Sequence, residues 1–370
     1  MIRILELFGG IGACSKALEK IGVDYEIADY VEIDKYAVKS FNAMHNTNFE
    51  TQDITTWDKD MKVDLIMHGS PCQDFSLAGL QAGGDKDSGT RSSLMYETIR
   101  IVEKLKPKYV IWENVKNLIS KKHKHNFDAY IERMSQLGYK SYYQVLNAKD
   151  YEIPQNRERV FTISIRNDID KQFMFPEKKE LKLKLKDMLE DNVDEKYYLS
   201  DKMIKYISAR GTANFRNPDC RINLDIARPL TTDPNKRAGT TNYLSNNLPN
   251  NYNLENVLYI KNATKKGYLE ATDGDCIDLS QPNSETRRGR VQKEQIQTLT
   301  TQNSLGVVNN LRIRKLTPKE YWRLMGFDDE DFDKAKASGN SNTQLYKQAG
   351  NSIVVNILEA ILLNLLDSTD

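Results

Sequence analysis

The sequence predicts an α/β protein, a mostly parallel sheet with helices on both faces, interrupted by a smaller domain of short strands and loops. Three observations predict it. Short apolar runs alternate with runs of helical spacing through the first 115 residues. From about residue 180 to 310 that alternation gives way to Asn-, Thr- and Arg-rich stretches. The chain then closes on SIVVNILEAILLNLL, apolar on several faces, which must dock back on the first part.

Taken in order, IRILELF reads as a buried strand, and Gly9-Gly10-Ile11-Gly12 as a tight turn. ACSKALEKIG follows as a helix, with apolar residues at Ala13, Ala17, Leu18 and Ile21 and a stop at Gly22. YEIADYVEID is a second strand ending in acids, and AVKSFNAMH a second helix. VDLIMHG and YVIWENV are the third and fourth strands, flanking a helix around SSLMYETIRIVEKL that ends at Lys106-Pro107. In a sheet of this kind ligands bind at the carboxyl ends of the strands, so the residues there carry the functional argument.

The glycine turn leaves backbone bare for a ligand at a helix N-terminus. Glu32, ending the second strand, is placed to accept from ribose hydroxyls, and Asp53-Ile54 to meet an adenine amino group and ring face. The turn is shorter than the GxGxxG fingerprint, which counts against NAD. Cys72, held by Pro71 just past the third strand, faces the same crevice, where a thiolate is favoured. The Gly- and Ser-rich stretch after it reads as a loop able to close over substrate. Glu113 follows the apolar YVIW, so its carboxyl should resist ionising and be able to give a proton to a base. Arg157 and Arg159, at alternate positions entering a strand, share one face and can grip an anion or a carbonyl.

No run of apolar residues near the length of a membrane span is expected, and the N-terminus lacks the order of a signal peptide. These features predict a cytoplasmic protein. Four cysteines far apart, without metal-ligand spacing, argue for reduced thiols and no structural metal. Net charge is +1, but residues 201–315 hold 18 Lys/Arg against 11 Asp/Glu, which leaves the rest of the chain at −6. A basic segment on an acidic body is where a phosphate backbone is expected to lie.

With these residues in view the chain resembles the bacterial and phage DNA cytosine-5 methyltransferases across nearly its whole length. FGGIG at 8–12 is similar to the cofactor loop, Glu32 to the ribose-binding acid and Asp53 to the adenine-binding acid. Pro71-Cys72-Gln73 is similar to the nucleophile motif, Glu113-Asn114-Val115 to the ENV motif, and Gln155 to Arg159 to the QxRxR motif. RKLTPKEYWRLMGF and QAGNSIVVNIL match the last two motifs, and all appear in the family's order.

The resemblance implies a Rossmann-like S-adenosylmethionine-dependent domain and transfer of a methyl group to C5 of a flipped-out cytosine in duplex DNA. Cys72 would attack C6, Glu113 would hydrogen-bond N3, Arg159 would hold O2, and Arg157 would support the loop or nearby phosphates. Phe8, Gly9, Gly10, Gly12, Glu32, Ile33, Asp53, Ile54, Pro71, Leu94, Asn351 and Ser352 are the implied S-adenosyl-L-methionine residues, with S-adenosyl-L-homocysteine as product and no metal. The implied domains are 1–180 catalytic, 181–312 target recognition, 313–344 connecting, and 345–370 returning to the catalytic part. Gln73, Ser76, Arg287, Arg288, Arg290 and Thr298 are expected at the DNA. A monomer is expected, with a restriction endonuclease of the same system as a partner that need make no contact, and no membrane. One position departs from the pattern. Glu152 stands where the family commonly has glycine, so a positive φ there would be strained and would bring a carboxylate near Arg157 and Arg159.

Other readings remain open on the sequence: an RNA cytosine-5 methyltransferase, a DNA binder without turnover, and a nicotinamide oxidoreductase.

Overall fold

The computed structural model describes residues 1–71, 94–200, 257–301, 304–309 and 312–367, which fall into two compact units. The first comprises Met1–Glu190, Gln297–Asn303 and Thr317–Asp370, and the second Asp191–Ile296 and Ser304–Leu316. The sequence placed the whole of 181–312 in the recognition domain. Residues 181–190 and 297–303 instead fall in the first unit, and 313–316 in the second, differences that composition gave no sign of.

The first unit is built on six strands: β1 (Ile2–Leu7), β2 (Tyr25–Val31), β3 (Leu65–His68), β4 (Tyr109–Val115), β5 (Tyr139–Asn147) and β7 (Glu158–Arg166). A two-residue strand, β6 (Gln155–Asn156), precedes β7. The sheet order is β2-β1-β3-β4-β7-β5; the first four strands are parallel, and β7 runs antiparallel between β4 and β5. Every residue of β3 is buried, as are the adjacent Ile4 and Leu5 of β1, so both faces of the sheet are covered.

The helices α1 (Ala13–Lys20), α2 (Lys35–His45), α3 (Met95–Leu105) and α4 (Lys124–Gln136) alternate with the strands. On one face Ile99 and Val102 of α3 and Phe127, Tyr130 and Met134 of α4 pack with Leu5, Leu7, Ile66, Val110 and Trp112 of the sheet. The C-terminal part supplies α5 (Pro318–Arg323), α6 (Asp329–Ala337), α7 (Asn342–Asn351) and α8 (Val355–Leu366). A capping box between Thr317 and Glu320, with Pro318 in the first turn, starts α5. Ion pairs from the buried Lys16 to Asp328 and Asp331 tie α1 to α6, and α8 lies along α1. The segment 342–366 is by length and composition long enough to cross a bilayer, which corrects the expectation that no such run exists. Here it is broken at Ser352-Ile353-Val354, and Val355, Ile357, Leu358, Ile361, Leu362 and Leu365 are buried within the protein.

The second unit, described by itself, holds a hairpin of β8 (Leu258–Lys261) and β9 (Tyr268–Ala271). A four-stranded antiparallel sheet joins β10 (Cys276–Asp278), β11 (Val291–Gln292), β13 (Leu305–Asn309) and β14 (Arg312–Lys315), and β12 (Ile296–Gln297) leads out of the unit. Its core is small: Ile260, Ala271, Ile277, Leu279, Val308 and Ile313.

Candidate active site

The site forms where β1, β2, β3 and β4 end. Gly12 caps α1 in the left-handed conformation with φ 77°, and a Cβ there would stand 2.6 Å from Phe41 and His45. Only glycine fits that position without strain or clash. Gly9 is bounded by the Tyr30 ring, 2.6 Å from where its Cβ would be. Gly10, at φ 56°, has open space above it. The turn is therefore packed from below and bare above, as a backbone approached by a ligand requires.

Glu32 closes the far side of the turn. Its carboxylate accepts from Gly10 N at 3.0 Å and from Asp34 N at 2.8 Å, which fixes its direction. Burial raises its pKa, against the pull of those backbone hydrogen bonds. Ile33 beside it is 69% exposed, a large apolar side chain left open at the end of a buried strand. Phe8 and Leu94 pack with Val31 and Ile54 in one apolar cluster, so residues far apart in sequence form a single wall. Asp53 accepts from the N–H and hydroxyl of Thr55, in a turn at the surface. An adenosine fits this donor set: a fixed carboxylate for vicinal hydroxyls, an exposed aliphatic face for a ring, and bare glycine backbone for an anionic group.

The chemistry-bearing end lies at β3 and β4. Glu113 is 8% exposed, and its Oε1 is 3.1 Å from Nε of Arg159, which stands opposite Val115 across the β4–β7 ladder. Burial raises the Glu113 carboxyl above its ordinary value, and the Arg159 and Arg157 guanidinium groups offset that only in part. Gly69 lies alongside, with 3.8 Å between its virtual Cβ and Glu113 Oε2, so the acid borders the strand end that leads into Pro71 and Cys72. Cys72, Gln73, Ser76 and the loop after them lie outside the described residues.

Two sets of contacts that the sequence reading did not foresee hold this end together. Ser70, 3% exposed, is a hydrogen-bond hub: Trp112 Nε1 donates to its Oγ at 3.0 Å, and Asn114 Nδ2 donates to its carbonyl at 3.3 Å. Beneath it His68 stacks on Trp112, with ring centroids 5.6 Å apart and planes at 6°. Burial lowers its pKa to about 3, so the imidazole is neutral between Tyr130 and Thr98. The signal was available, because a buried indole N–H needs an acceptor and Trp112 immediately precedes Glu113.

The second set is a clamp. Gln155 donates to Leu324 O at 2.7 Å and accepts from Leu299 N at 3.0 Å. Arg157, 3% exposed, donates to the carbonyls of Leu299, Gly350 and Ser352. A Cβ on Gly350 would stand 2.6 Å from the Thr300 backbone, so glycine permits that approach. Arg157 thus acts as a positioning residue here, while Arg159 reaches the acid. Ser352 is buried and Asn351 exposed beside it. Thr298 donates to Asn156 O at 2.9 Å, fixing its segment to the clamp.

Glu152 adopts the left-handed conformation, φ 67°, as the glycine pattern required. Its carboxylate pairs with Lys179 at 2.9 Å, so the expected approach to Arg157 and Arg159 is corrected. The arginine cluster needs a larger correction. Arg290 is fully buried and donates to the carbonyls of Gln281 and Ser284, so it holds a loop and cannot present itself to a phosphate. Arg287 is bound to the buried Asp278 through Nε and Nη2, and Arg288, exposed, donates to Ala263 O.

The chain matches the family model described as C-5 cytosine-specific DNA methylase over residues 2–367. It is 33% identical to the orphan methyltransferase M.SPRI of Bacillus phage SPR, covering 99% of this chain and 97% of that one. It is 32% identical to the type II methyltransferase M2.ScrFI of Lactococcus lactis subsp. cremoris over the full length of both. Among solved structures, a putative DNA modification methyltransferase encoded within an E. coli prophage aligns with TM-score 0.60 at 18% identity, covering 99% of each chain. The Dnmt2 methyltransferase of S. pombe aligns with TM-score 0.58 at 17% identity, over 99% of this chain and 98% of that one. At those identities the likeness is one of fold.

Proposed function

Since the chain belongs to the C-5 cytosine-specific DNA methylase family, and so is a DNA cytosine-5 methyltransferase, we propose that it acts on a cytosine flipped out of duplex DNA, through a covalent bond between Cys72 and C6. The observation that carries this reading is the buried Glu113, paired with Arg159 and bordering the strand that leads to Cys72.

The Cys72 thiolate adds to C6, and the electron pair of the C5–C6 double bond moves into the ring toward N3 and O2. Glu113, whose proton is favoured by burial, donates to N3 where that charge develops; Arg159 steadies the carboxyl and O2. C5 becomes the nucleophilic carbon. When bound, S-adenosylmethionine supplies an electrophilic methyl group to that carbon. Loss of the C5 proton to solvent then restores the C5–C6 double bond as the C6–S bond breaks and thiolate leaves, and N3 returns its proton to the Glu113 carboxylate. Phe8, Ile33, Glu32, Asp53 and Leu94 would hold the adenosine, and the turn at Gly9-Gly10 its anionic end. C6 is inaccessible within a base stack, hence the flipped base. The protein would act in the cytoplasm on chromosomal or phage DNA, as a monomer, without metal. A restriction endonuclease of the same specificity is its expected genetic partner.

Cys72→Ser should abolish methyl transfer while leaving cofactor affinity near that of the wild type. The wild type should form a stable adduct with a duplex bearing 5-fluorocytosine at its target, since fluorine blocks the final elimination. Methylation by Cys72→Ala at the wild-type rate would remove the covalent step, and methylation of transfer RNA in preference to a DNA duplex would change the substrate.

A further inference from the structure

We propose that the connection from β4 to α4, residues 116–125, is a second DNA-backbone surface that contacts the phosphates flanking the flipped nucleotide; this rests on the reading above. Between Glu113 and Asp128 the chain carries no carboxylate, but it carries Lys116, Lys121, Lys122 and Lys124 with His123 and His125. All four lysines and His125 are exposed. The tract is an exception within the chain outside 201–315, where acids are in excess by six.

Its place in the fold gives that charge a role. β4 and β5 are parallel to one another, because both run antiparallel to β7, and α4 is the crossover between them. The connection that follows β4 therefore lies at the carboxyl edge of the parallel strands, the edge that carries Glu113. Lys116 Nζ is 2.9 Å from Glu158, the residue before the Arg159 that grips Glu113, so the tract begins at the rim of the site. Leu118 is fully buried, and a hydrogen bond that Ser120 N donates to Asn117 O closes the turn, which holds the lysines that follow outward. A cytosine that meets Glu113 brings its own phosphates to that rim. Carboxylates already meet Lys116 and Lys124, the latter through Asp128, but both pairs are exposed and exchange readily for phosphate. Backbone contacts of this kind carry no sequence information; they add affinity and fix the strand at the site.

The test is DNA binding by the full-length protein as a function of salt, with Lys121, Lys122 and Lys124 replaced together by Ala. The control replaces the equally exposed Lys182, Lys184 and Lys186 of the same unit. The tract variant should lose about three from the slope of log affinity against log salt. Its affinity for duplexes with and without the target site should fall in parallel, and its single-turnover methylation rate at saturating DNA should stay within about twofold of wild type. The control should keep the wild-type slope. An unchanged slope in the tract variant, or the same loss in the control, overturns the proposal. A wild type that binds duplex DNA but leaves cytosine unmethylated would overturn the function above, while the slope comparison would still decide the surface.

Discussion

At the carboxyl edge of β3 and β4, buried charge stands where a ligand can reach it; in the second unit, buried charge is consumed internally. Glu113 and Arg159 answer one another at a strand end beside the segment that leads to Cys72, with Ser70, Trp112 and Asn114 fixing the backbone around them. Asp278, Arg287 and Arg290 are just as dense a cluster, yet their bonds run to one another's loop and hold 280–290 in shape. Sequence density of arginine is thus a poor guide to which side chains are left exposed to a ligand. Position relative to the ends of parallel strands is a better one, because the fold itself opens a crevice there.

Glu113→Gln breaks the comparison at its strongest point. Glutamine keeps a donor for N3 but cannot deliver a proton, and the charge it offsets arises only as C6 is attacked. Single-turnover methylation should fall about 100- to 10,000-fold, with DNA affinity and 2-aminopurine fluorescence at the target preserved. The pH dependence has a definite sign. Burial raises the carboxyl, so its protonated form persists above the usual range for glutamate, and the rate constant should fall as pH climbs through that raised value. Loss of flipping in Glu113→Gln would assign the residue to base positioning and remove its acid role.

In the second unit the single variants should separate what the cluster conflates. Arg290→Ala removes two hydrogen bonds from a charged donor at a fully buried position, and should destabilise the protein by about 2 kcal/mol with an unchanged salt slope for DNA binding. Arg288→Ala, exposed, should leave stability intact and lower the slope by about one. A slope change in Arg290→Ala without loss of stability would mean that the side chain leaves its loop when DNA arrives.

The strands β1 to β4 and β7 and the helices α1, α2, α3 and α8 were legible because apolar period and turn residues agree there, and the motif residues sit at the ends those patterns define; α4 to α7 were not read as helices. Gly12 and Glu32 are placed by the same local rules that make the turn. The strand β5 went unread because three tyrosines, Lys140, Ser141 and Gln144 fill an edge strand half open to water, which blunts the apolar signal. The resemblance implied that Arg157 supports a loop, but the partners of the Gln155 and Arg157 clamp were not legible. They are main-chain carbonyls at Leu299, Leu324, Gly350 and Ser352, and a carbonyl is the same in every residue.

Glu152 separates local strain from catalysis, and carries the smallest effect. Its φ of 67° is a conformation that costs an L-residue about 1 kcal/mol or more, and nothing in its side chain relieves that except an exposed pair with Lys179. Replacement by Gly alone would mix relief of strain with loss of the ion pair, and glycine also gains freedom in the unfolded chain. Comparison with Glu152→Ala removes the first ambiguity, since both variants lose the pair and differ chiefly in tolerance of positive φ. Glu152→Gly should therefore be more stable than Glu152→Ala by about 1 kcal/mol in denaturant unfolding. Both should methylate saturating DNA at nearly the wild-type rate, because Glu152 meets Lys179 and not the arginines of the site. Equal stability of the two variants would show that the backbone at 152 leaves the left-handed region in solution. A large loss of rate in Glu152→Ala alone would tie the strained turn to the placement of Gln155 and Arg157, three and five residues on.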